Sequence, residues 1–506
     1  MIYATRRSTT STRGWIWVSG FVLAVTAVMS YLNSSVGGLI GGCLWAVLIM
    51  APLIGSSKVN QLVAQQRYGQ ASRLAAFVCL LHPADGWREQ PALLRALEMA
   101  QRGAMDQAIA ILDPYKTSTT PIGRVATATL YRMGARWEDL LVWIRENVPE
   151  AVLQQDVSTM SQYLRALGET GELNGLLQAL DRFEPILEKT GSLMIQNLVR
   201  LFAFAFCGKK EQVIRLLYGP LAMYPQHIRQ FWLATAELAA GNEAVAREQL
   251  LSIRNSSDIP TRNAVEWRLS QPQVDPEAVL TEKSRQILSR LSTELEQEAR
   301  YSGRTNSLLR KANATYVLIG LNLLAFALEV IFGGSENLYT LYYLGALIPS
   351  EVVAGAWWRL LTSTFLHFGF LHLLMNMLAL YSLGPFVEFA LGVRRYVLTY
   401  FTAGVGSMLV VSVLAVMGYS KTQFVVGASG CIMALIGATA AILLRGWRRE
   451  KSRFASKRLR VILFIIAFQV VFDLSTPQIS FIGHTAGVII GFLVGSLLKH
   501  DWEGRQ

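Results

Sequence analysis

The chain has 506 residues, of which 52% are hydrophobic and 16% charged, and its formal net charge is +12. This composition is too apolar for an ordinary soluble domain, and the length exceeds what one hydrophobic core organises. The four cysteines show no paired spacing, which argues against a disulfide framework or a zinc site. Much of the positive charge lies beside apolar stretches, so we interpret it as a membrane orientation signal with no role in binding nucleic acid.

Eight apolar segments approach the length of about 20 residues that crosses the hydrocarbon core of a bilayer. They cover roughly 14–33, 37–55, 314–332, 370–390, 396–417, 424–444, 459–474 and 479–498. The loop 445–460 carries eight basic residues against one acid, and such loops favour the cytoplasm. Counting spans outward from this loop places the N-terminus, the middle domain and the C-terminus in the cytoplasm. The sequence therefore predicts a multi-pass protein of the lipid bilayer, in a bacterial inner or cell membrane rather than an organelle.

The first 56 residues are predicted to form a transmembrane hairpin, because a second apolar span follows the first at once, which a cleaved signal peptide would not require. Residues 57–280 lack strand-like alternation and carry apolar residues at the helical period. Six glycines follow helical segments there at spacings of 31 to 37 residues: Gly69, Gly103, Gly134, Gly171, Gly208 and Gly241. A period near 34 indicates stacked pairs of helices, and a non-repetitive helical bundle is the alternative.

This middle domain resembles degenerate tetratricopeptide repeats, which implies a surface for a protein or peptide partner. Residues 281–312 are rich in Glu, Arg and Ser and are predicted to be a charged helical linker. Residues 313–506 hold the other six spans. The predicted fold class is therefore all-α, with a six-span membrane bundle joined to a two-span hairpin and a soluble helical repeat domain.

Three spans of the second half enter from the outer side, and each carries polar residues near its outer start. The first has His372 and Asn376 on one helix face, the second has Ser429, and the third has His484. At about 1.5 Å rise per residue, these positions share one depth in the bilayer. Ionisable groups are costly there and are functional candidates by default.

A serine hydroxyl becomes a good nucleophile when a base takes its proton, and a neutral imidazole suits that task. We therefore interpret Ser429 and His484 as a nucleophile and its general base. Ser429 is expected to begin a helix, so its amide points at developing negative charge, and His372 and Asn376 are further candidate donors to an oxyanion. No acid is placed by the sequence to orient His484, and nothing aims Asp473 at it, so a dyad is the simpler prediction.

Glycines surround these residues. Gly427 and Gly430 flank the serine and permit a close approach of the backbone to a scissile carbonyl. Gly487 and Gly491 are spaced four apart and are most simply a close-packing face between helices. No glycine-rich phosphate loop and no His-Glu-x-x-His motif occurs, so neither a cofactor nor a metal is expected.

Taken together, the motifs over residues 315–498 resemble the rhomboid family of intramembrane serine proteases. They are Trp358-Arg359, the stretch from His367 through His372 to Asn376, Glu388, Gly427-Ala-Ser429-Gly430, and His484-Thr-Ala-Gly487-Val-Ile-Ile-Gly491. The resemblance implies that Ser429 is the nucleophile and His484 the general base. It also implies oxyanion donors at His372, Asn376 and the Ser429 amide. Trp358 and Arg359 match a motif of the outer loop 333–362, and Glu388 matches a structural acid near the inner membrane boundary. Met433 departs from the aromatic residue that many members carry four positions after the serine.

The implied activity is cleavage of transmembrane-anchored substrate proteins near the outer membrane boundary, with the repeat domain recruiting a substrate or partner. The alternative is a catalytically silent relative that binds membrane clients as a scaffold. Inactive relatives usually lose the serine or the histidine, and this chain keeps both Ser429 and His484. A transporter is disfavoured, because no intramembrane acid pairs or interrupted helices occur at matching positions of two halves.

Overall fold

The computed structural model describes residues 13–32, 34–117, 119–190, 192–256, 259–272, 274–301, 312–420, 422–476 and 480–499. Apart from turns and short connections, these residues form helices. The described residues contain one isolated β-bridge, between Leu347 and Val425. The predicted all-α class is confirmed. The chain divides into two compact units, Met1–Ser292 and Thr293–Gln506.

Six helices are long and apolar enough to cross a membrane: Gly14–Leu32, Val36–Ala64, Asn313–Ile331, Phe370–Leu391, Val393–Val416 and Ser429–Glu450. They make the chain a multi-pass membrane protein. Two predicted spans fall outside this set: Phe481–Leu497 is apolar but has 17 residues, and Arg453–Ser475 has 23 residues and begins with basic turns. The second span continues as one helix to Ala64, beyond its predicted end at residue 55.

The first unit consists of a helical hairpin followed by pairs of antiparallel helices. Its helices are α1 (Arg13–Leu32), α2 (Ser34–Trp45), α3 (Ala51–Ala64), α4 (Tyr68–Leu81), α5 (Gln90–Gln101), α6 (Met105–Leu112), α7 (Pro121–Met133), α8 (Trp137–Asn147), α9 (Glu150–Leu153), α10 (Val157–Glu169), α11 (Leu173–Thr190), α12 (Leu193–Phe206), α13 (Lys210–Leu217), α14 (Gln226–Ala239), α15 (Glu243–Ser256), α16 (Ile259–Ser270) and α17 (Pro276–Val279). A π-helical turn, Ala46–Met50, joins α2 to α3 without ending the helix.

One backbone motif recurs six times between the helices of a pair. A residue with positive φ is followed by an amide that donates to the carbonyl five residues earlier, which is the hydrogen bond of a Schellman cap. The residues with positive φ are Gln66, Gly103, Ala135, Gly171, Gly208 and Gly241. The residue five positions after each one is fully buried: Ala71, Ala108, Leu140, Leu176, Val213 and Ala246. The same cap and the same packing position therefore repeat along the unit.

Four of the six glycines singled out in the sequence occupy this cap position. At the other two turns the prediction was wrong. Gln66 occupies the cap in place of Gly69, which lies inside α4. Ala135 occupies the cap in place of Gly134, whose φ is −87°. A non-glycine residue in the left-handed region costs about 1–2 kcal/mol, so glycine content alone could not locate these two caps. The likeness to tetratricopeptide repeats stays a prediction.

Helix α16 crosses the carboxyl ends of two earlier helices. Asn263 Nδ2 donates to the Met133 carbonyl at 2.9 Å, Trp267 Nε1 donates to the Glu169 carbonyl at 3.4 Å, and Arg268 pairs with the Glu169 carboxylate. The last carbonyls of a helix have no partner within that helix. Side chains of α16 therefore satisfy the ends of α7 and α10 and cover this edge of the unit.

The second unit is built around one buried helix. After α18 (Glu282–Tyr301), which lies within the predicted linker, its helices are α19 (Asn313–Ile331), α20 (Leu338–Leu344), α21 (Pro349–Val353), α22 (Arg359–Thr362), α23 (Phe370–Leu391), α24 (Val393–Val416), α25 (Ser429–Glu450), α26 (Arg453–Ser475) and α27 (Phe481–Leu497). Every residue of α25 from Gly430 to Leu443 is buried. Helices α23, α24, α26 and α27 pack around it.

Candidate active site

Ser429 lies where an extended segment turns into the central helix. It is the first residue of α25, as predicted, and it is partly exposed. Just before it, Val425 pairs with Leu347, and the amide of Gly427 donates to the Ser363 carbonyl at 2.9 Å. The first amides of a helix have no intrahelical acceptor, and the helix dipole adds positive potential at the same end. The serine hydroxyl therefore sits beside backbone donors suited to a negative charge.

Gly427 brings a second helix to the serine. Its φ is +131°, and a Cβ atom there would lie 2.8 Å from His372 Cε1 and 3.7 Å from Ser429 Oγ. A side chain at this position would be strained and would collide with the imidazole. Glycine is thus required for the ring of His372, on α23, to approach the turn that carries Ser429.

His372 and Asn376 lie one turn apart on α23. Asn376 is buried, and its Nδ2 donates to the His372 carbonyl at 2.9 Å, which leaves the second amide hydrogen available to a ligand. The ring of His367 packs edge-on against that of His372, with 5.2 Å between centroids. Burial, reinforced by the nearby charge of His372, lowers the pKa of His367 in the loop to about 3. His367 is therefore neutral and packs as a structural ring beside His372.

His484 is buried on α27, and its ring meets an acid that the sequence analysis did not assign to it. Nδ1 of His484 lies 2.8 Å from Oδ2 of Asp473, and Nε2 of Gln469 donates to Oδ1 of the same carboxylate at 2.7 Å. The prediction that no acid orients His484 is wrong. A signal was present: Gln469 and Asp473 are spaced four apart, so they share one helix face within the apolar stretch 461–474 of α26.

The levels of Ser429 and His484 follow from how α25 and α27 pack. Gly487 of α27 lies directly against the Gly430 carbonyl of α25, and the buried Met433 lies beside the same glycine. His484 precedes Gly487 by three residues and therefore shares its helix face. Ser429 immediately precedes Gly430, so the serine and the histidine lie at matching levels of adjoining helices.

Trp358 and Arg359 belong to the loop between α19 and α23. Trp358 is 61% exposed, whereas Arg359 is buried and its Nη1 donates to the carbonyls of Tyr342 and Ala346 at 3.0 and 2.8 Å. The guanidinium also lies over the Tyr342 ring, 4.6 Å from its centroid. Arg359 therefore holds the fold of this loop, and its contacts are with loop groups rather than with the serine turn.

Glu388 caps the start of another span. Its carboxylate accepts hydrogen bonds from the amides of Ala314 and Thr315 at 3.0 and 2.9 Å and from the Thr315 hydroxyl at 2.7 Å. These amides open α19, where an acid both satisfies free donors and complements the helix dipole. Glu388 thus joins the carboxyl end of α23 to the amino end of α19.

The polar groups on α23, α25, α26 and α27 form one constellation. It offers a hydroxyl at a helix amino end, an imidazole paired with a carboxylate, and a second imidazole and an amide as donors. Such an arrangement suits nucleophilic attack on a carbonyl and stabilisation of the resulting oxyanion. Within the described ranges, no group of three or more His, Cys, Asp or Glu side chains has a geometry that could hold a metal ion.

Comparisons with known proteins point to one family. The family described as "Rhomboid domain" matches residues 354–500. The chain is 36% identical over 188 residues to "Rhomboid protease GluP" of Bacillus subtilis (strain 168). The aligned region covers 37% of this chain and 35% of that protein. It is 37% identical over 169 residues to "RHOMBOID-like protein 6, mitochondrial" of Arabidopsis thaliana. That alignment covers 32% of this chain and 52% of that protein. These first two relatives are thus spanned over about a third to a half of their length.

A shorter relative is matched more completely. The chain is 32% identical over 154 residues to "Putative rhomboid protease YdcA" of Bacillus subtilis (strain 168), which covers 30% of this chain and 73% of that protein. The family match at 354–500 contains Ser429 and His484 together with His372, Asn376 and Glu388. The helix pairs of the first unit lie outside these residues.

Proposed function

This chain belongs to the rhomboid family, and from that premise we propose that it is an intramembrane serine endopeptidase whose nucleophile is Ser429 and whose general base is His484. The observation that carries the proposal is the position of Ser429 at the amino end of α25, level with His484 on the adjoining α27. Both side chains are polar groups within apolar helices, where such groups are costly unless they serve a function.

The reaction follows from the groups present. His484 Nε2 takes the proton of the Ser429 hydroxyl as Oγ bonds to the carbonyl carbon of the scissile peptide. The tetrahedral intermediate then collapses, its C–N bond breaks, and the proton on Nε2 passes to the leaving amine. Water repeats the sequence on the acyl-enzyme: it gives a proton to Nε2, its oxygen bonds to the acyl carbon, and the C–Oγ bond breaks as the serine is reprotonated.

The oxyanion of the intermediate forms next to three candidate donors. The amide of Ser429 points along the start of α25, the His372 ring lies beside the serine turn, and Asn376 keeps one amide hydrogen available. A single donor of this kind stabilises the transition state by about 3–4 kcal/mol. The donors therefore supply a substantial share of the proposed rate enhancement, and His372 also shapes the turn through its contact at Gly427.

The proposed substrates are transmembrane-anchored proteins, cleaved near the outer boundary of the bilayer. Ser429 begins its helix after an extended segment, and the surrounding protein buries it only in part, which leaves an approach for a peptide. A substrate helix must unwind there, because a peptide bond is accessible to attack only when the backbone leaves the helical conformation. The basic loop 445–460 favours the opposite side as cytoplasm, which would suit a bacterial cell membrane.

A fluorophosphonate probe provides the test of this function, because it reacts covalently with an activated serine. We expect the full-length protein in micelles to be labelled and mass spectrometry to locate the adduct on Ser429. The matched control is Ser412→Ala, which removes a buried hydroxyl that is bonded to the Met408 carbonyl on the neighbouring α24. Labelling should persist in the control. A folded wild type that takes no label would favour a silent membrane scaffold instead.

The first unit is proposed to recruit a substrate's cytoplasmic segment or a partner protein, since stacked helix pairs present extended surfaces. Helix α16 already covers the carboxyl ends of α7 and α10, so a partner would use the rest of the unit. We expect deletion of residues 65–280 to raise KM for substrates with a cytoplasmic segment about tenfold and to leave kcat for a short transmembrane reporter unchanged. If the deletion leaves KM unchanged for both kinds of substrate, the first unit does not recruit substrates.

A further inference from the structure

We propose that Asp473 is a positioning residue that fixes the tautomer and orientation of His484, so that the reaction uses a Ser-His-Asp array rather than a dyad. The inference rests on the function proposed above. It starts from two contacts within the second unit: Asp473 Oδ2 lies 2.8 Å from His484 Nδ1, and Gln469 Nε2 donates to Asp473 Oδ1 at 2.7 Å.

The position of the Asp473 carboxylate is energetically unfavourable for a negative charge. Asp473 is 5% exposed and lies in the last turn of α26, where the helix dipole disfavours negative charge. A buried carboxylate is retained only when hydrogen-bond donors compensate its loss of water. The donors seen here are Gln469 on the same helix and His484 on the next one, so the acid is built into the histidine site.

The direction of the hydrogen bond defines the state of the imidazole. A carboxylate only accepts, so the proton of the neutral ring resides on Nδ1. The lone pair on Nε2 is then free to take the proton of Ser429. As the ring becomes an imidazolium, the adjacent carboxylate stabilises the new positive charge without accepting the proton itself. Asp473 would act on the reaction through His484 and touch neither the substrate nor the serine.

Gln469 explains why an acid suits this position better than an amide. The Gln469 amide presents an N–H to one oxygen of residue 473. An asparagine there would direct its single oxygen to Gln469 and its NH2 group to His484. The ring would then accept at Nδ1 and carry its proton on Nε2, which is the tautomer that cannot deprotonate Ser429.

The test is steady-state cleavage of a transmembrane reporter by the full-length protein. We expect Asp473→Asn to lower kcat by roughly 10³–10⁴-fold, as the wrong tautomer does in a serine protease triad, with KM changed by less than about threefold. The double variant Gln469→Leu/Asp473→Asn frees the asparagine to turn its oxygen toward His484. It should recover kcat at least about tenfold over the single variant.

A second variant covers the case in which Asp473→Asn does not fold. Asp473→Ala leaves a cavity that a small carboxylate can enter, so we expect formate to raise its kcat at least about tenfold and formamide to have no effect. Equal responses to the two additives would overturn the proposal, because a space-filling role does not distinguish an anion from an amide.

The outcomes separate this inference from the function on which it rests. Wild-type kcat in a folded Asp473→Asn variant, together with cleavage that still requires Ser429, overturns the positioning role alone. A rise in KM or a lower unfolding temperature with kcat unchanged does the same, since it shows a structural role only. Absence of Ser429-dependent cleavage in the wild type overturns the function and the positioning role together.

Discussion

Replacing Ser429 with alanine will abolish cleavage of a transmembrane reporter, with an expected loss in kcat of roughly 10⁶-fold. The substitution removes the Oγ that forms the acyl bond and leaves the turn around it intact, because Gly427 and the first amides of α25 are unchanged. Initial rates of product formation, measured by mass spectrometry at saturating substrate, provide the measurement. Ser412→Ala, which removes a buried hydroxyl from α24, should keep the wild-type rate.

The same experiment extends to His484. Groups that act as one catalytic unit are strongly non-additive, so His484→Ala should lose about as much kcat as Ser429→Ala, and the double variant should lose no more than either. Additive losses would mean that the two side chains contribute to separate steps. Cleavage that survives in Ser429→Ala at the wild-type rate would end the serine protease assignment.

The sequence predicted the parts of the site that depend on local pattern. Ser429 was predicted to begin a helix, and the structure agrees. His372 and Asn376 could be placed on one face from their spacing alone. These inferences need only the helical period and the composition of one segment, which are properties of neighbouring residues.

The contact between Asp473 and His484 depends on a different kind of information. These residues lie eleven positions apart on two helices, and their meeting is set by the angle at which α26 returns to α27. Periodicity within either segment does not encode that angle. The polarity of Asp473 and Gln469 within an apolar span was nevertheless a usable signal, since an intramembrane acid without a partner would be costly.

The helix caps of the first unit are a second feature that the sequence predicted only in part. Spacing predicted a repeat near 34 residues, but the cap at Gln66 and the one at Ala135 place side chains in the left-handed region. Glycine is favoured there, yet the cost to other residues is about 1–2 kcal/mol and packing can offset it. The spacing of the turns could therefore be predicted from the sequence, whereas the residue at each cap could not; Ala71 and Leu140, five positions after these two caps, are fully buried.

The close approach of α25 and α27 is what brings these polar groups to one level, and it depends on glycines without side chains. A Cβ atom at Gly491 would lie 2.5 Å from the Cα and 2.6 Å from the carbonyl carbon of Ala434. Backbone atoms cannot turn aside as a flexible side chain can, so the two helices would have to separate. Gly487, which faces the Gly430 carbonyl, is in the same situation one turn nearer the active site.

We therefore expect Gly491→Ala to lower the free energy of unfolding by roughly 3 kcal/mol, at the upper end of the usual cost of overpacking. Gly320→Ala is the matched control, because it lies within the span α19 and a Cβ there meets no atom within 4 Å. The control should be neutral or slightly stabilising, since alanine favours a helix over glycine. The measurement is the unfolding midpoint in mixed micelles titrated with a denaturing detergent.

Catalysis distinguishes a general loss of stability from the specific displacement that this packing predicts. If α27 moves away from α25, His484 moves away from Ser429, so Gly491→Ala should lose kcat even under conditions in which the protein stays folded. A misplacement of about 1 Å can cost about 100-fold in rate, so the loss should be readily measured. Equal stability and equal kcat in Gly491→Ala and Gly320→Ala would show that the helices can part without disturbing the site, and the glycine contact would then lose its proposed role in aligning it.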